Sequence, residues 1–330
     1  MREISVLLPC RINEEHQGSS RLRLTLESLL NQDLPDERYE IILVDDGSDM
    51  PIEELLSEWG IDADNLVLKR QAPTGMCTAY NVAAAAAGSE LLFFAIDDNL
   101  AEKSLLRRHV RAHRTAGEKL VVGRELFCWP TQLLRDVITG ERNDIIGDDS
   151  AHTSLVEAMQ IGEFQLSVAD VRENFGWIVM MSKRPASYAD IEETIATGRF
   201  GDSAVGWLAM RFGNHSMPKR LFDELGGAET KLDPTGWYAD LELGRRIQRR
   251  GIVPILDTEA ITVHLPHDKP YMVPEVGYRC LREFYATTRD TAVLMVPSFF
   301  AERMTIAQFG RIVDGIKDVE REPMAAGFGR

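Results

Sequence analysis

The stretch LLFFAIDDNL, residues 91–100, runs an apolar segment straight into two carboxylates and an amide. Adjacent carboxylates repel each other, so Asp97, Asp98 and Asn99 call for a counter-charge. An oxygen-rich set of this kind suits Mn²⁺ or Mg²⁺, which keep water as additional ligands and bridge phosphate oxygens. A solvated loop is the plainer explanation of the same residues. VDDGSD (44–49) also has two readings, because Asp, Gly and Ser favour a turn on their own account. VHLPH (263–267) sets His264 and His267 at the end of an apolar run, where a histidine is more often structural than a ligand. WYADLELGRR (237–246) offers Asp240 and Glu242 near a helix N-terminus, where carboxylates interact well with the helix dipole. Capping accounts for one of the two.

The elements that must position these residues alternate along the first half of the chain. EISVLLP, YEIILVDDGS, NLVLKRQ and ELLFFAIDD read as strands. SRLRLTLESLLNQ, IEELLSEWG and the alanine-rich GMCTAYNVAAAAAGS read as the helices between them. This rhythm predicts an α/β fold with a mostly parallel, Rossmann-like central sheet flanked by helices. Ligands of such sheets collect at the carboxyl ends of the strands. Three strands end there in polar sets: Pro9 to Glu15, Asp45 to Ser48, and Asp97 to Asn99. Further on, TGERNDIIGDDSAHTS reads as a polar loop, WLAMRFGNHSMPKRLFDELGG and GWYADLELGRRIQRRG as a turn and two helices, and VPILDTEAITVHLPH as a strand. Beyond Tyr271 the pattern is mainly helical, with a loose REPMAAGFGR end.

Composition narrows the classes of function. At 44% hydrophobic and 27% charged residues, the 330-residue chain is an ordinary globular one rather than a disordered one. Its net charge of −15 repels phosphate backbones and argues against nucleic-acid binding. The four cysteines, Cys10, Cys77, Cys128 and Cys280, form no CxxC pair, which suits reduced thiols and a cytoplasmic location. MREISVLLPCRINEE has too short an apolar run for a signal peptide and reads as the first strand. No apolar run approaches the roughly 20 residues of a membrane span. AVLMVPSFF (292–300) is broken by Pro297, and its Phe299 and Phe300 are a candidate contact between two subunits of a homodimer.

Taken in order, SVLLPCRINEE, EIILVDDGSD, FFAIDDN and GGAETKLDPTGWYADLELGRRIQRRG resemble GT-A fold glycosyltransferases of the family 2 type. The first three segments look like that family's nucleotide-binding parts, and the fourth like its acceptor-side ED-x-E-L motif. The resemblance implies a donor half (1–125), an acceptor half of the same domain (126–270) and a helical C-terminal extension (271–330). It further implies sugar transfer from a nucleoside diphosphate sugar to an acceptor hydroxyl, metal-assisted and with inversion. The acceptor has no recognisable motif.

In that frame Pro9, Arg11 and Glu14 line the nucleoside pocket, and Asp46 accepts the base N3–H, which favours a UDP-sugar. Asp97 lies toward the ribose or the donor sugar. Asp98, Asn99 and His264 are the candidate contacts to Mn²⁺ or Mg²⁺. Asp240 is the candidate general base, with Trp237 and Glu242 beside the sugars.

Three positions depart from the family pattern: Arg11 or Ile12 replaces an aromatic residue, Tyr80 an arginine, and Ala239 the first acid of the ED motif. The metal motif is D-D-N rather than D-x-D, which leaves Asp98 and Asn99 both open as ligands. Two rival functions share parts of this pattern. A sugar-phosphate nucleotidyltransferase would carry a Gly- and Arg-rich loop with a following Lys after the first strand, where this chain has PCRINEEHQGSSR. A non-catalytic nucleotide-sugar-binding protein would fit Ala239 and Tyr80.

Overall fold

The first strand, β1 (Ile4–Cys10), is buried along its whole length. Successive strand side chains face opposite ways. Val6 and Leu8 therefore enter one core and Leu7 the other, so the strand is apolar throughout. The same division runs through β2 (Tyr39–Asp46) and β4 (Leu91–Phe94). The computed structural model describes residues 2–13, 19–116, 120–142, 164–267 and 274–321. Glu14, most of the polar loop after Arg142 and the end of the chain after Arg321 lie outside the described residues.

With β3 (Leu66–Gln71), β5 (Asn99–Ala101), β6 (Val121–Phe127), β7 (His215–Pro218) and β8 (Ile255–His264), the strands form one eight-stranded sheet. Its order is β3-β2-β1-β4-β7-β6-β8-β5. The β3-β2-β1-β4 part is parallel throughout. The other part mixes a parallel β6–β8 pair with antiparallel β4–β7, β6–β7 and β5–β8 pairs. Helices α1 (Ser19–Leu29), α2 (Ile52–Trp59) and α4 (Leu105–Ala116) cover one face. Helix α3 (Met76–Ala86) covers the other, together with the helices of the second half.

Strands β1 and β4 part company early. Ala95 donates its N–H to the Leu7 carbonyl at 3.0 Å, and the paired register stops there. Backbone groups alternate sides along a strand, so Pro9 faces the β4 side as Leu7 does. Proline has no N–H to donate, and its place is just past the last β1–β4 bond. The sheet order reverses at β1 and β4, and the crevice that opens there is where doubly wound sheets bind ligands. Asp97, Asp98 and Asn99 begin directly beyond it.

Two expectations are corrected. The stretch from Trp207 to Gly227 contains not only turns and a helix but also β7, a four-residue strand held from both sides by β4 and β6. The apolar tail does not offer Phe299 to a second subunit. Phe284, Phe299 and Phe309 are all 0% exposed within this chain's own core. At about 1.5–3 kcal/mol for each fully buried side chain, the three together rival the roughly 5–15 kcal/mol by which whole domains are stable. The C-terminal helices are therefore structural members of the domain. All four cysteines are buried free thiols.

A buried polar seam joins α4 to the sheet. His109 Nδ1 lies 2.7 Å from Ser216 Oγ and its Nε2 3.0 Å from Asn214 Oδ1, while His113 Nε2 lies 2.9 Å from the same Ser216. Burial pushes His109 and His113 down to about 4 and His215 to about 3. Between those values and about 6.5 the unfolded chain binds protons that the fold does not, so stability falls as pH falls through that window. Burial of Glu125, raised to about 7, acts in the opposite sense, as one group against three. We expect a clearly lower melting temperature at pH 5 than at pH 7.5 in a buffer series. An unchanged or higher value at pH 5 would contradict the neutral, buried state of these histidines.

Candidate active site

The carboxyl ends of β1, β2 and β4 bring the acidic sets together. The Cys10 thiol, deeply buried at the end of β1, is pushed well up by burial and then by the carboxylates of Asp97, Asp45 and Asp46. The two aspartates of VDDGSD divide their work. Asp45 Oδ1 accepts the Ser48 N–H at 2.8 Å and closes the turn, with Gly47 at φ 75°. A Cβ on Gly47 would come within 2.5 Å of Pro73. Asp46 Oδ1 accepts from Gln71 Nε2 at 2.7 Å and from the Thr74 N–H at 2.8 Å. Its Oδ2 takes no hydrogen bond from the described residues and remains as an acceptor. Ile12 N–H donates to Ser48 Oγ at 2.8 Å, tying the loop after β1, where Arg11 is exposed, to this turn.

The antiparallel β5–β8 pair places Asn99 opposite His264. This register brings His264 Nδ1 to 3.3 Å from Asp98 Oδ1, and His267 Nε2 lies 3.1 Å from Asp98 Oδ2. Asp98 is 2% exposed. His264 Nδ1 is buried and makes no hydrogen bond to the described residues. A carboxylate oxygen and an imidazole nitrogen so close together are a chemically apt donor pair for a divalent cation, and the orphaned nitrogen fits that use. Among the described residues no three His, Cys, Asp or Glu side chains form a complete cation site, so an ion there would need ligands beyond these described side chains. Asn99 Nδ2 donates to Glu125 Oε1 at 3.0 Å and to the Gly213 carbonyl at 3.3 Å, while its Oδ1 is buried without a hydrogen bond to the described residues.

Sequence reasoning passed over what holds this arrangement. Arg21 on α1 is 1% exposed. It donates to the carbonyls of Thr131 and Leu134 at 2.9 Å, Leu265 at 3.2 Å, and Arg135 and Pro266 at 3.3 Å. These acceptors lie in the two loops that flank the histidines. Glu125 on β6 was missed as well. Burial, with a smaller contribution from Asp98, pushes its carboxyl up to about 7 against the pull of His264, Arg211 and Asn99.

The acceptor-side segment enters its helix, Ala239–Arg249, through an unusual turn: Gly236 at φ 62° and Tyr238 at φ 70°. Left-handed backbone at a tyrosine is uncommon and is held here by packing, the ring stacking on Phe284 at 5.0 Å. Trp237, partly buried, meets Tyr238 edge-on at 5.8 Å. Ala239 is completely buried, so the acid usual at this place in the motif would have to enter the core. Asp240 Oδ2 faces Arg211 Nε at 3.6 Å. Glu242 points away from Asp240, to Arg246, whose Nε lies 2.9 Å from both its carboxylate oxygens. Tyr80, in place of an arginine, is a core residue whose hydroxyl donates to the Ala95 carbonyl at 2.6 Å.

A line of contacts joins the two acidic centres. The His264 ring meets Phe127 at 4.8 Å, Phe127 meets Tyr188 at 4.9 Å, and the Tyr188 hydroxyl accepts from Arg211 Nε at 3.0 Å. Arg211 then faces Asp240. The structure thus brings together Pro9, Asp46, Asp97 and Asp98 with His264 at one edge, and Trp237 with Asp240 beyond it.

Residues 5–127 match the family model described as glycosyl transferase family 2. Among curated proteins, the chain is similar to the uncharacterized glycosyltransferase YfnE of Bacillus subtilis (strain 168), 22% identical over 270 residues, covering 80% of this chain and 64% of that protein. Among solved structures, it resembles S. aureus TarS with a TM-score of 0.47 at 13% identity, covering 86% of this chain and 40% of that one. The TarS 1-349 structure gives 0.44 at 13% identity, covering 86% and 65%. The chain therefore spans less than two thirds of the length of each of these relatives. Among the described residues no helix is long and apolar enough to cross a membrane.

Arg21 supplies the prediction for this site. Replacing it with methionine leaves at least four buried carbonyls without their charged donor, which should cost roughly 3–5 kcal/mol. Chemical denaturation measures this directly. A loss under about 1 kcal/mol would mean that the histidine loops hold themselves.

Proposed function

We propose that the chain transfers a sugar from a nucleoside diphosphate sugar, uridine being the favoured nucleoside, to an acceptor hydroxyl by single displacement with inversion. What supports this reading most is the meeting of Asp98 with His264 and His267, beside Asp46 and Asp97, at the edge of a family 2 segment. Residues 1–125 would hold the donor, 126–270 would shape the acceptor side, and 271–330 would brace the latter.

In this reading the Asp46 carboxylate receives the base N3–H on Oδ2, since Oδ1 is already committed to Gln71 and Thr74. Pro9 and Arg11 border the nucleoside, and Asp97 faces the ribose or the donor sugar. Asp98 and His264 would hold Mn²⁺ or Mg²⁺, whose chemistry is to offset the charge developing on the departing diphosphate. Asp240 takes the proton from the acceptor hydroxyl, and its position opposite Arg211 fixes the direction of the carboxylate. Trp237 offers a ring face to a sugar.

Two measurements test the reading. UDP binding, followed by calorimetry, should weaken in EDTA and in Asp98→Ala; undiminished affinity in both would remove the cation from the account. In Asp240→Asn, donor affinity should stay near wild type while transfer falls by roughly 10²-fold or more, the scale for losing a positioned base. Because Asn keeps the Oδ1 that accepts the Leu241 N–H, a purely structural Asp240 would leave turnover near wild type.

A further inference from the structure

Arg211 is the one cation that faces Asp240 among the described residues, and its guanidinium is only partly committed. Its Nε donates to Tyr188 and is also the nitrogen that faces Asp240. The group lies over the Phe300 ring at 4.6 Å and the Tyr188 ring at 5.4 Å. Its backbone is held too, His215 Nδ1 lying 2.8 Å from the Arg211 carbonyl. Both terminal nitrogens are left without a hydrogen bond to the described residues, on a side chain 20% exposed. Burial works against this charge, but Tyr188, Asp240 and Glu125 outweigh it and raise the guanidinium above its ordinary value. A rigidly stacked guanidinium with its fork open is suited to donating paired hydrogen bonds to a carboxylate or phosphate, a geometry that lysine does not reproduce.

We propose that Arg211 receives an anionic group, a carboxylate or phosphate, on the acceptor, set beside the hydroxyl that Asp240 deprotonates. This rests on the glycosyltransferase reading and adds the acceptor's chemical class. The acceptor rather than the donor is indicated by the surroundings. Tyr188, Phe300 and Asp240 all come from outside the donor segment, and the Phe127 ring stands between Tyr188 and His264. It also answers an electrostatic difficulty. A chain of net charge −15 would repel an anionic acceptor unless a local cation received it.

The test uses the full-length protein saturated with Mg²⁺ and UDP, so that the donor phosphates are already in place. Glucose 6-phosphate, glucuronate and glucose are then titrated as probes by calorimetry. Each anion should bind at least about 10-fold tighter than glucose. Arg211→Gln should abolish that preference and Arg211→Lys should reduce it, with UDP affinity retained in both variants as the sign of an intact fold. Equal or undetectable binding of all three probes would overturn the proposal, as would a preference that persists in Arg211→Gln. A loss of UDP affinity in both variants with an unchanged melting temperature would show instead that the guanidinium serves the donor's phosphates. Should the wild-type protein fail to bind UDP, the donor reading itself falls and this inference with it.

Discussion

The short antiparallel pairing of Asn99–Ala101 with Thr262–His264 is the contact on which the site depends. It joins the segment after β4 to a strand more than 160 residues later and, with the Leu265 N–H donating to the Asp98 carbonyl at 2.8 Å, places His264 beside Asp98. Three residues of strand are too few to hold such a register unaided. The register is supported by the longer β6–β8 pairing and by Arg21, which reaches from α1 to the Leu265 and Pro266 carbonyls between the histidines and to those of Thr131 and Leu134 after β6. The site geometry thus rests in part on a buried cation that has no place in the chemistry.

The acidic character of the site follows from the same architecture. Parallel strands end together, and at this end they deliver Asp45, Asp46, Asp97 and Asp98 into one region where burial keeps their mutual repulsion strong. Internal partners quiet part of it: Ser48 for Asp45, Gln71 and Thr74 for Asp46, and His267 for Asp98. On the acceptor side Arg211 has the corresponding role toward Asp240. The clamp between halves is also electrostatic. Asp233, from the loop before Trp237, accepts the Cys77 N–H at 2.7 Å and Thr78 Oγ1 at 2.5 Å at the start of α3. Gly75 is needed there, at φ 135°, because a Cβ would meet Asp233 at 2.5 Å.

The sequence was most legible where local pattern and tertiary setting agree. The apolar runs of β1, β2 and β4 and the acids that end them could be read directly, because parallel strands are buried on both faces and their polar ends are not. Strand β7 was illegible, since HSMP has neither length nor alternation and owes its conformation to β4 and β6. Arg21 and Glu125 carry no local signal: each matters through partners distant in sequence, 110 to 245 residues away for Arg21's carbonyls Thr131 and Pro266. His267 was seen but left aside, because a histidine three residues past His264 announces nothing until Asp98 is placed against it. Glu242 was set beside the sugars through the family resemblance; two residues along a helix from Asp240, it faces almost the opposite way, to Arg246.

The central claim is that Asp98 and His264 form one end of a nucleotide-diphosphate site. Anomalous diffraction from crystals grown with Mn²⁺ and UDP tests it most directly. The account predicts a manganese peak in contact with both the Asp98 carboxylate and the His264 imidazole, with the UDP diphosphate on the same ion. Manganese bound elsewhere, or a diphosphate seated away from Asp98, would contradict it.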